Sequence, residues 1–376
     1  MASIYFHIPF CKKRCNYCDF YTEIFPQFID SYIDTMIAEL FLRRNYLEEN
    51  KPISSVYFGG GTPSLLSAKH FGKIFNAVNQ LFTLEKNAEI TFEANPDDLT
   101  EFFFNEIKNL PFNRLSIGIQ SFNDKLLKKI NRRHTAQQAI NSVQIAKNHN
   151  FTNISIDLIY GLPSQTFFDW ENELKTAFSL DIQHISAYCL TYETGTPLWK
   201  KLVQGKISET KEEILNQMYL HLIQTAENQG FEHYEISNFA KNDFRARHNS
   251  AYWKGEKYLG IGAAAHSFDG ETRQWNVPSI QKYIAAIAEK KDFFEKEILS
   301  PTDKYNEYVM VSLRTAEGVD FEYIKNNFGN DYANYFSKNI QKFILSKKIL
   351  PAANNHFSLA REGILISDEI IRELMI

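Results

Sequence analysis

Between Ile4 and about Leu190 the chain alternates short, β-prone apolar runs with longer stretches in which apolar positions recur at helical spacing. The runs predict six strands, Ile4–Ile8, Val56–Gly60, Ile90–Ala94, Leu115–Gln120, Ile154–Tyr160 and Ile185–Leu190. Amphipathic segments at Phe28–Leu47, Ala68–Phe82, Ala136–His149 and Phe168–Phe178 lie between them, each long enough for a crossover helix. Consecutive βα units predict an α/β fold built on a parallel sheet. Six units fall short of a closed eight-unit barrel. A partial six-unit (β/α) barrel is therefore expected, with its site at the carboxyl ends of the strands.

After Leu190 the strand rhythm stops. A polar helical stretch, Thr210–Gln229, leads into a loop-like segment, Ser237–His248, and the regular sheet is expected to end there. Beyond Val277 the sequence turns helical and charged, with a β-prone stretch near Phe357-Ser358-Leu359 and a last helix through Ser367-Asp368-Glu369. This divides the chain into residues 1–276, a barrel with an extension, and 277–376, a small, mainly helical domain.

Composition narrows the function. With 376 residues and 44% hydrophobic content, the chain can bury one large core and a smaller second one. A net charge of −4 gives no basic field for nucleic acid, and neither end carries a basic, aromatic-interleaved module. The amino terminus lacks the pattern of a signal peptide and no apolar run is long enough to span a bilayer, so a cytoplasmic protein is expected, with peripheral membrane contact as an option.

Three of the four cysteines fall within eight residues, Cys11-Lys12-Lys13-Arg14-Cys15-Asn16-Tyr17-Cys18, directly after the first strand. They are too crowded for a disulfide framework and read as a metal site. A loop in this position can fold three thiolates around one [4Fe-4S] cluster and leave one iron without a protein ligand. A structural zinc site would need a fourth ligand. Cys189 reads as a small core residue at the end of the sixth strand, and strand geometry aims His7 into the barrel. Gly59-Gly60-Gly61-Thr62-Pro63 follows the second strand, where bare backbone can approach a ligand. Glu93, Gln120 and Asp157 end the next three strands and read either as site residues or as helix caps.

The cysteine spacing resembles that of the radical S-adenosylmethionine (SAM) superfamily, which implies a barrel of that type. The resemblance implies that the open iron chelates SAM and that one electron from the cluster cleaves its sulfonium bond. Over nearly the whole chain the sequence is similar to the oxygen-independent coproporphyrinogen III oxidases and their relatives, the radical SAM haem chaperones. That likeness implies SAM contacts at Tyr5, Gly60, Gly61, Thr62, Glu93, Gln120, Arg132 and Asp157, with Tyr17, Tyr188 and Thr191 at second-SAM positions. Arg132 suits a ligand carboxylate, whereas neighbouring Arg133 reads equally as a solvated charge.

Two departures favour the chaperone branch. The oxidases have a further cysteine two residues after the third, where this chain has Phe20. Their long extension before the first cysteine is also missing, since only ten residues precede Cys11. His248-Asn249-Ser250-Ala251-Tyr252-Trp253 resembles the chaperones' HNxxYW motif, which makes His248 the leading candidate haem ligand and His266 the second, although His266 also falls at an oxidase SAM position. Read from residues alone, His248 could equally be a hydrogen-bonded loop histidine with Tyr252 and Trp253 as packing. The implied function is haem binding and delivery to acceptor haemoproteins, with membrane-associated respiratory proteins and a homodimer as options. Coproporphyrinogen oxidation is the alternative, and whether the chain catalyses any reaction is left open.

Overall fold

The computed structural model describes residues 2–24, 26–48 and 51–376. Six strands alternate with helices to form the barrel: β1 (Ala2–Ile8), β2 (Ile53–Gly60), β3 (Leu84–Ala94), β4 (Arg114–Gln120), β5 (Ile154–Tyr160) and β6 (His184–Cys189), each parallel to the next. The expected crossover helices are present at Ile29–Leu42, Ala68–Leu81, Ala136–Asn148 and Phe167–Ser179. The last three open on capping boxes made by Ser67 with His70, Thr135 with Gln138, and Thr166 with Asp169, so their amino-terminal N–H groups are satisfied locally.

Strand alternation sorts the barrel into two faces. Ile4, Phe6, Ile8, Val56, Phe58, Phe92, Leu115, Ile117, Ile156, Leu158 and Ile185 point outward under the helices, each no more than 1% exposed. The other set, including Tyr5, His7, Tyr57, Glu93, Ser116, Asp157 and Ser186, shares the inner face through the registers Tyr5↔Tyr57, Glu93↔Ser116 and Asp157↔Ser186. A parallel sheet buried on both faces is ordinarily apolar throughout. Here the inner face is polar, which leaves a lined interior instead of a second packed core.

The sheet does not end after Leu190. Six later strands join it: β7 (Glu232–Glu235), β8 (Asn238–Ala240), β9 (Lys257–Ile261), β10 (His266–Phe268), β11 (Thr272–Asn276) and β12 (Phe294–Ile298), giving a 12-stranded sheet in the order β12-β11-β10-β9-β1-β2-β3-β4-β5-β6-β8-β7. The β7–β8 hairpin adds antiparallel to β6, and β9 pairs parallel with β1 on its far edge. This side is held by one buried acid on the helix Ile29–Leu42. Glu39 pairs with Arg43 at 3.2 Å and accepts from Gly262 N (2.8 Å), Asn276 Nδ2 (2.8 Å) and the Tyr283 hydroxyl (2.5 Å).

Ile280, Tyr283, Ile287 and Phe293 pack into the barrel core, carrying it past the division expected at residue 276. A second core starts at Tyr305 and runs to Leu374. It joins the helices Pro301–Leu313, Asn330–Leu345 and Ser367–Leu374 to a small sheet, β13 (Val319–Asp320), β14 (Ile349–Ala352) and β15 (His356–Leu359), in the order β13-β15-β14.

Candidate functional site

The loop after β1 is pinned from several directions by backbone and side-chain bonds. Cys11 N donates to Glu23 O (3.0 Å), Asn16 N to Ile130 O (3.0 Å) and Leu198 N to Asn16 O (2.9 Å). Asn131 Nδ2 donates to Arg14 O at 2.8 Å, and Lys12 pairs with buried Asp98 at 2.6 Å. Cys11, Cys15 and Cys18 are each half-buried, with no disulfide. Burial pushes the Cys11 thiol up and the Cys18 thiol up to about 11. Among the described residues no three metal-ligating side chains converge on one ion. Three thiolates bound to different irons of a cubane have no need to converge so tightly.

Two side chains from later in the chain, Arg132 and Thr62, reach the thiols. Arg132 Nη1 lies 3.4 Å from Cys15 Sγ, while its Nη2 donates to Asn95 Oδ1 (2.5 Å) and to Gly118 O. Its buried Nε has no partner among the described residues. Arg133 turns away and pairs with Asp97 and Asp98, both at 2.9 Å. The Thr62 hydroxyl reaches Cys11 Sγ at 3.5 Å and accepts from Asn95 Nδ2 at 3.1 Å. Asn95 thus ties the glycine turn to the arginine, a role invisible in the sequence because it sits one residue past the end of β3.

The glycine turn is shaped by what lies beneath it. Gly60 has φ +105°, and a Cβ there would come 2.5 Å from the His7 ring. A Cβ on Gly61 would meet Phe10 O at 2.7 Å and Ile8 O at 2.8 Å. His7 is held by Tyr5 through Nδ1 and by Tyr21 O through Nε2, both at 3.1 Å, and burial lowers its pKa to about 4. It is neutral and fully engaged, so it serves the turn and not a metal.

Inside the barrel, Glu93 accepts from the Tyr57 hydroxyl (2.8 Å) and from Gly60 N (3.2 Å). Burial, with the Asp157 carboxylate nearby, raises Glu93 to about 7. Burial likewise raises Asp157 to about 6, against the bond from Ser116 Oγ at 3.2 Å. These two acids, with Tyr57, Ser116, Ser186 and Tyr188, line an internal cavity of 60 Å³. Tyr188, on this lining, is 44% exposed. Tyr17 packs beside Leu126, Ile130 and Leu198, next to the cysteine loop. Gln120 is buried at a left-handed φ of 69° beside Gly118. Thr191 is exposed and does not line the cavity. A larger cavity of 390 Å³ lies between helix Glu212–Asn228, β7 and residues 313–316, but no cysteine lines it.

The two candidate haem histidines have opposite surroundings. His248 opens the short helix Arg247–Trp253, which closes the amino ends of the barrel strands, and is 1% exposed. Its Nδ1 is bonded to Ser55 Oγ and its Nε2 to the Tyr252 hydroxyl, both at 2.9 Å. Its ring stacks on Tyr57 at 4.9 Å, and burial lowers its pKa to about 3. Both ring nitrogens of this leading candidate are thus engaged within the protein. His266, on β10, is exposed, stacks against Trp275 at 6.3 Å, and is kept neutral chiefly by desolvation.

Residues 5–177 match the Radical SAM superfamily and residues 299–366 the HemN C-terminal domain. The heme chaperone HemW of Lactococcus lactis is 33% identical over 375 residues, covering 100% of this chain and 97% of the relative. That of Bacillus subtilis is 33% identical over 374 residues, with 98% of each chain covered. The chain belongs to the radical SAM haem chaperones. The Escherichia coli coproporphyrinogen III oxidase superposes with a TM-score of 0.86 over 100% of this chain and 90% of that one, at 22% identity, a likeness of fold.

The residues present fit the cofactors this family implies. Three thiols, an arginine whose Nε has no partner among the described residues, and a glycine turn packed down on His7, Ile8 and Phe10 with its backbone bare form a cradle for a cluster and a zwitterionic ligand. Cys11, Cys15 and Cys18 would hold the cluster, Arg132 a ligand carboxylate, and the Gly60 turn with Glu93 an ammonium group. Bound there, the two would supply one-electron chemistry at a sulfonium. The chain contributes orientation, a fixed positive charge beside the sulfurs, and an enclosed polar interior.

Proposed function

We propose that this protein is a haem chaperone that binds haem and passes it to acceptor haemoproteins, carrying a [4Fe-4S] cluster on Cys11, Cys15 and Cys18 and SAM on the inner face of the barrel. The observation that carries it is full-length similarity to chaperones of this name, joined to a cysteine loop whose surroundings suit a cluster. SAM contacts are assigned to Tyr5, Tyr17, Gly60, Gly61, Thr62, Glu93, Gln120, Arg132, Asp157, Tyr188 and Thr191. His266 is assigned as the axial ligand, because its imidazole is neutral, accessible and flanked by the Trp275 face, which suits an apolar macrocycle. Among the described residues no helix is long and apolar enough to cross a membrane. A cytoplasmic location, acceptors reached peripherally at the membrane, and pairing of two copies complete the proposal; flotation with vesicles and sedimentation test the last two.

Haem titration of the purified protein, followed by Soret absorption, tests the reading. Saturable binding that weakens in His266→Ala is expected, together with no conversion of coproporphyrinogen III under reducing, anaerobic conditions with SAM. Turnover of coproporphyrinogen, or no saturable haem binding, would overthrow it.

A further inference from the structure

Five rings, Tyr5, Tyr57, His248, Tyr252 and Tyr258, form a continuous column through the barrel. Tyr57 stacks on Tyr5 with centroids 6.1 Å apart and on His248 at 4.9 Å. His248 meets Tyr252 at 5.1 Å and 88°, and Tyr252 meets Tyr258 at 4.6 Å and 90°. The two ends of the column differ. At the inner one the Tyr57 hydroxyl donates to Glu93 Oε1 (2.8 Å) while Glu93 Oε2 accepts from Gly60 N (3.2 Å), so one carboxylate joins this phenol to the turn that would hold a ligand's ammonium group. At the outer one Tyr258, on β9, pairs with Ser3 near the start of β1, and both Tyr252 and Tyr258 are partly exposed. The column therefore runs from the mouth towards the amino ends of the strands.

Phenylalanine rings would pack as well, yet the hydroxyls of Tyr5, Tyr57 and Tyr252 each meet a proton acceptor. His7 Nε2 can only donate to Tyr21 O, which leaves Nδ1 to accept from the Tyr5 hydroxyl at 3.1 Å. The Tyr252 hydroxyl lies 2.9 Å from His248 Nε2, and Ser55 Oγ, 2.9 Å from Nδ1, can accept the imidazole's own proton. Glu93 serves Tyr57. All three separations are within reach for proton transfer, about 2.6–3.2 Å. Burial holds these phenols well above their ordinary range, so each keeps its proton until an electron leaves. A base on the hydroxyl lets proton and electron depart together.

We propose that this column drains oxidising equivalents from the mouth to the surface, protecting the site when a radical formed there meets no substrate. The proposal rests on the cluster and SAM reading given above. One electron entering the sulfonium breaks a C–S bond and leaves an alkyl radical. Tyr57 gives that radical its hydroxyl hydrogen atom, so that an O–H bond breaks, a C–H bond forms and a neutral tyrosyl remains. An electron from Tyr252 then crosses the stacked His248 ring to Tyr57, whose oxygen takes a proton from Glu93, while the Tyr252 proton moves to His248 Nε2. Tyr258 next reduces Tyr252, which recovers its proton from the imidazole, and the Tyr258 proton passes to water. A small thiol in solution returns a hydrogen atom to Tyr258, and Glu93 regains its proton from water. The sum converts alkyl radical and thiol to alkane and thiyl radical.

The test uses the full chain, reconstituted with iron and sulfide, reduced, freed of excess reductant and mixed with SAM in the absence of haem or acceptor. Freeze-quench electron paramagnetic resonance follows the radical while 5′-deoxyadenosine is counted in parallel. Wild type should give a tyrosyl signal that narrows with ring-deuterated tyrosine, and Tyr57→Phe should lose it. In Tyr252→Phe and Tyr258→Phe, which keep the ring packing, the signal should form as fast but decay severalfold more slowly with added thiol, and adenosyl adducts around the mouth should rise in peptide mass spectra. Tyr234→Phe removes a like phenol off the column, bonded to His184 Nε2 at 2.8 Å, and should match wild type in both readouts. Iron, sulfide and thermal unfolding establish that each variant is intact. Formation of 5′-deoxyadenosine with no tyrosyl signal, or with equal decay in wild type, Tyr252→Phe and Tyr258→Phe, would overturn the drain and leave the SAM reading standing. An equal effect of Tyr234→Phe would overturn the column as its route. A reduced cluster that yields no 5′-deoxyadenosine would overturn the SAM reading and this proposal with it.

Discussion

The two ends of the barrel are built from the same strands and treated in opposite ways. At the amino ends, His248 is sealed under the helix Arg247–Trp253 with both ring nitrogens satisfied. At the carboxyl ends stand half-buried thiols, an Arg132 Nε with no partner among the described residues, and two acids with raised pKa values on the polar interior. A satisfied polar layer specifies structure, whereas unsatisfied and electrostatically costly groups mark where a ligand is expected. His248 falls on the structural side of that division, while Asn249 of the same HNxxYW segment lines the cavity that holds Glu93 and Asp157.

Breaking the mouth should have the largest effect. Replacing Cys11, Cys15 or Cys18 by Ala should abolish the cluster, measured as iron and sulfide after anaerobic reconstitution, while Cys189→Ala should keep about four of each. Stoichiometric zinc without sulfide would contradict the site. His248→Ala attacks the other end. It empties a buried space and strands Ser55 and Tyr252, so urea unfolding should show a loss of about 2–4 kcal/mol. The haem spectrum should stay close to wild type in any folded fraction, and a stable variant with an altered Soret band would reverse the comparison between the two ends.

Gly60→Ala should destabilise the mouth by about 2 kcal/mol, because a left-handed residue acquires a Cβ pressed against His7. His7→Ala should relieve part of that loss in the double variant, which tests the stated contact.

The smallest effect is one of pH. Glu93 titrates at about 7 in the folded chain against 4.5 unfolded, with Tyr57, Asp157, Tyr188 and Tyr5 around it. Between these values the folded state holds the extra proton, so its contribution is full below pH 4.5 and is lost as pH rises through 7. Glu93→Gln should therefore gain about 1–2 kcal/mol over the ligand-free wild type at pH 8 and little at pH 4.5. An equal difference at both values would show that packing, not ionisation, sets the effect.

The six strands and the cysteine loop were legible because period-two runs and crowded cysteines are local signals. Strands β7–β12 were not. Lys257-Tyr258-Leu259-Gly260-Ile261 gains strand character from pairing with β1, and β10 has only three residues, so their structure depends on partners far away in sequence. Glu39 gave no warning either, since an acid four residues before an arginine in a helix reads as a solvated pair until three distant partners, Gly262, Asn276 and Tyr283, surround it. At the site, Arg132 and Glu93 could be placed through resemblance, but Tyr57 and Asn95 could not. Their roles come from where neighbouring strand ends bring a hydroxyl and an amide, which no spacing records.

The cysteine loop owes its shape to hydrogen bonds that involve no sulfur: Cys11 N to Glu23 O, Asn16 N to Ile130 O, Leu198 N to Asn16 O and Asn131 to Arg14 O. A socket supported in this way outlasts its contents. Oxygen could strip the iron and leave the barrel standing with its thiols in register, so that repair requires fresh iron, sulfide and reductant but no refolding. Damage to the cluster would then be a maintenance event in the life of the molecule and not the end of it.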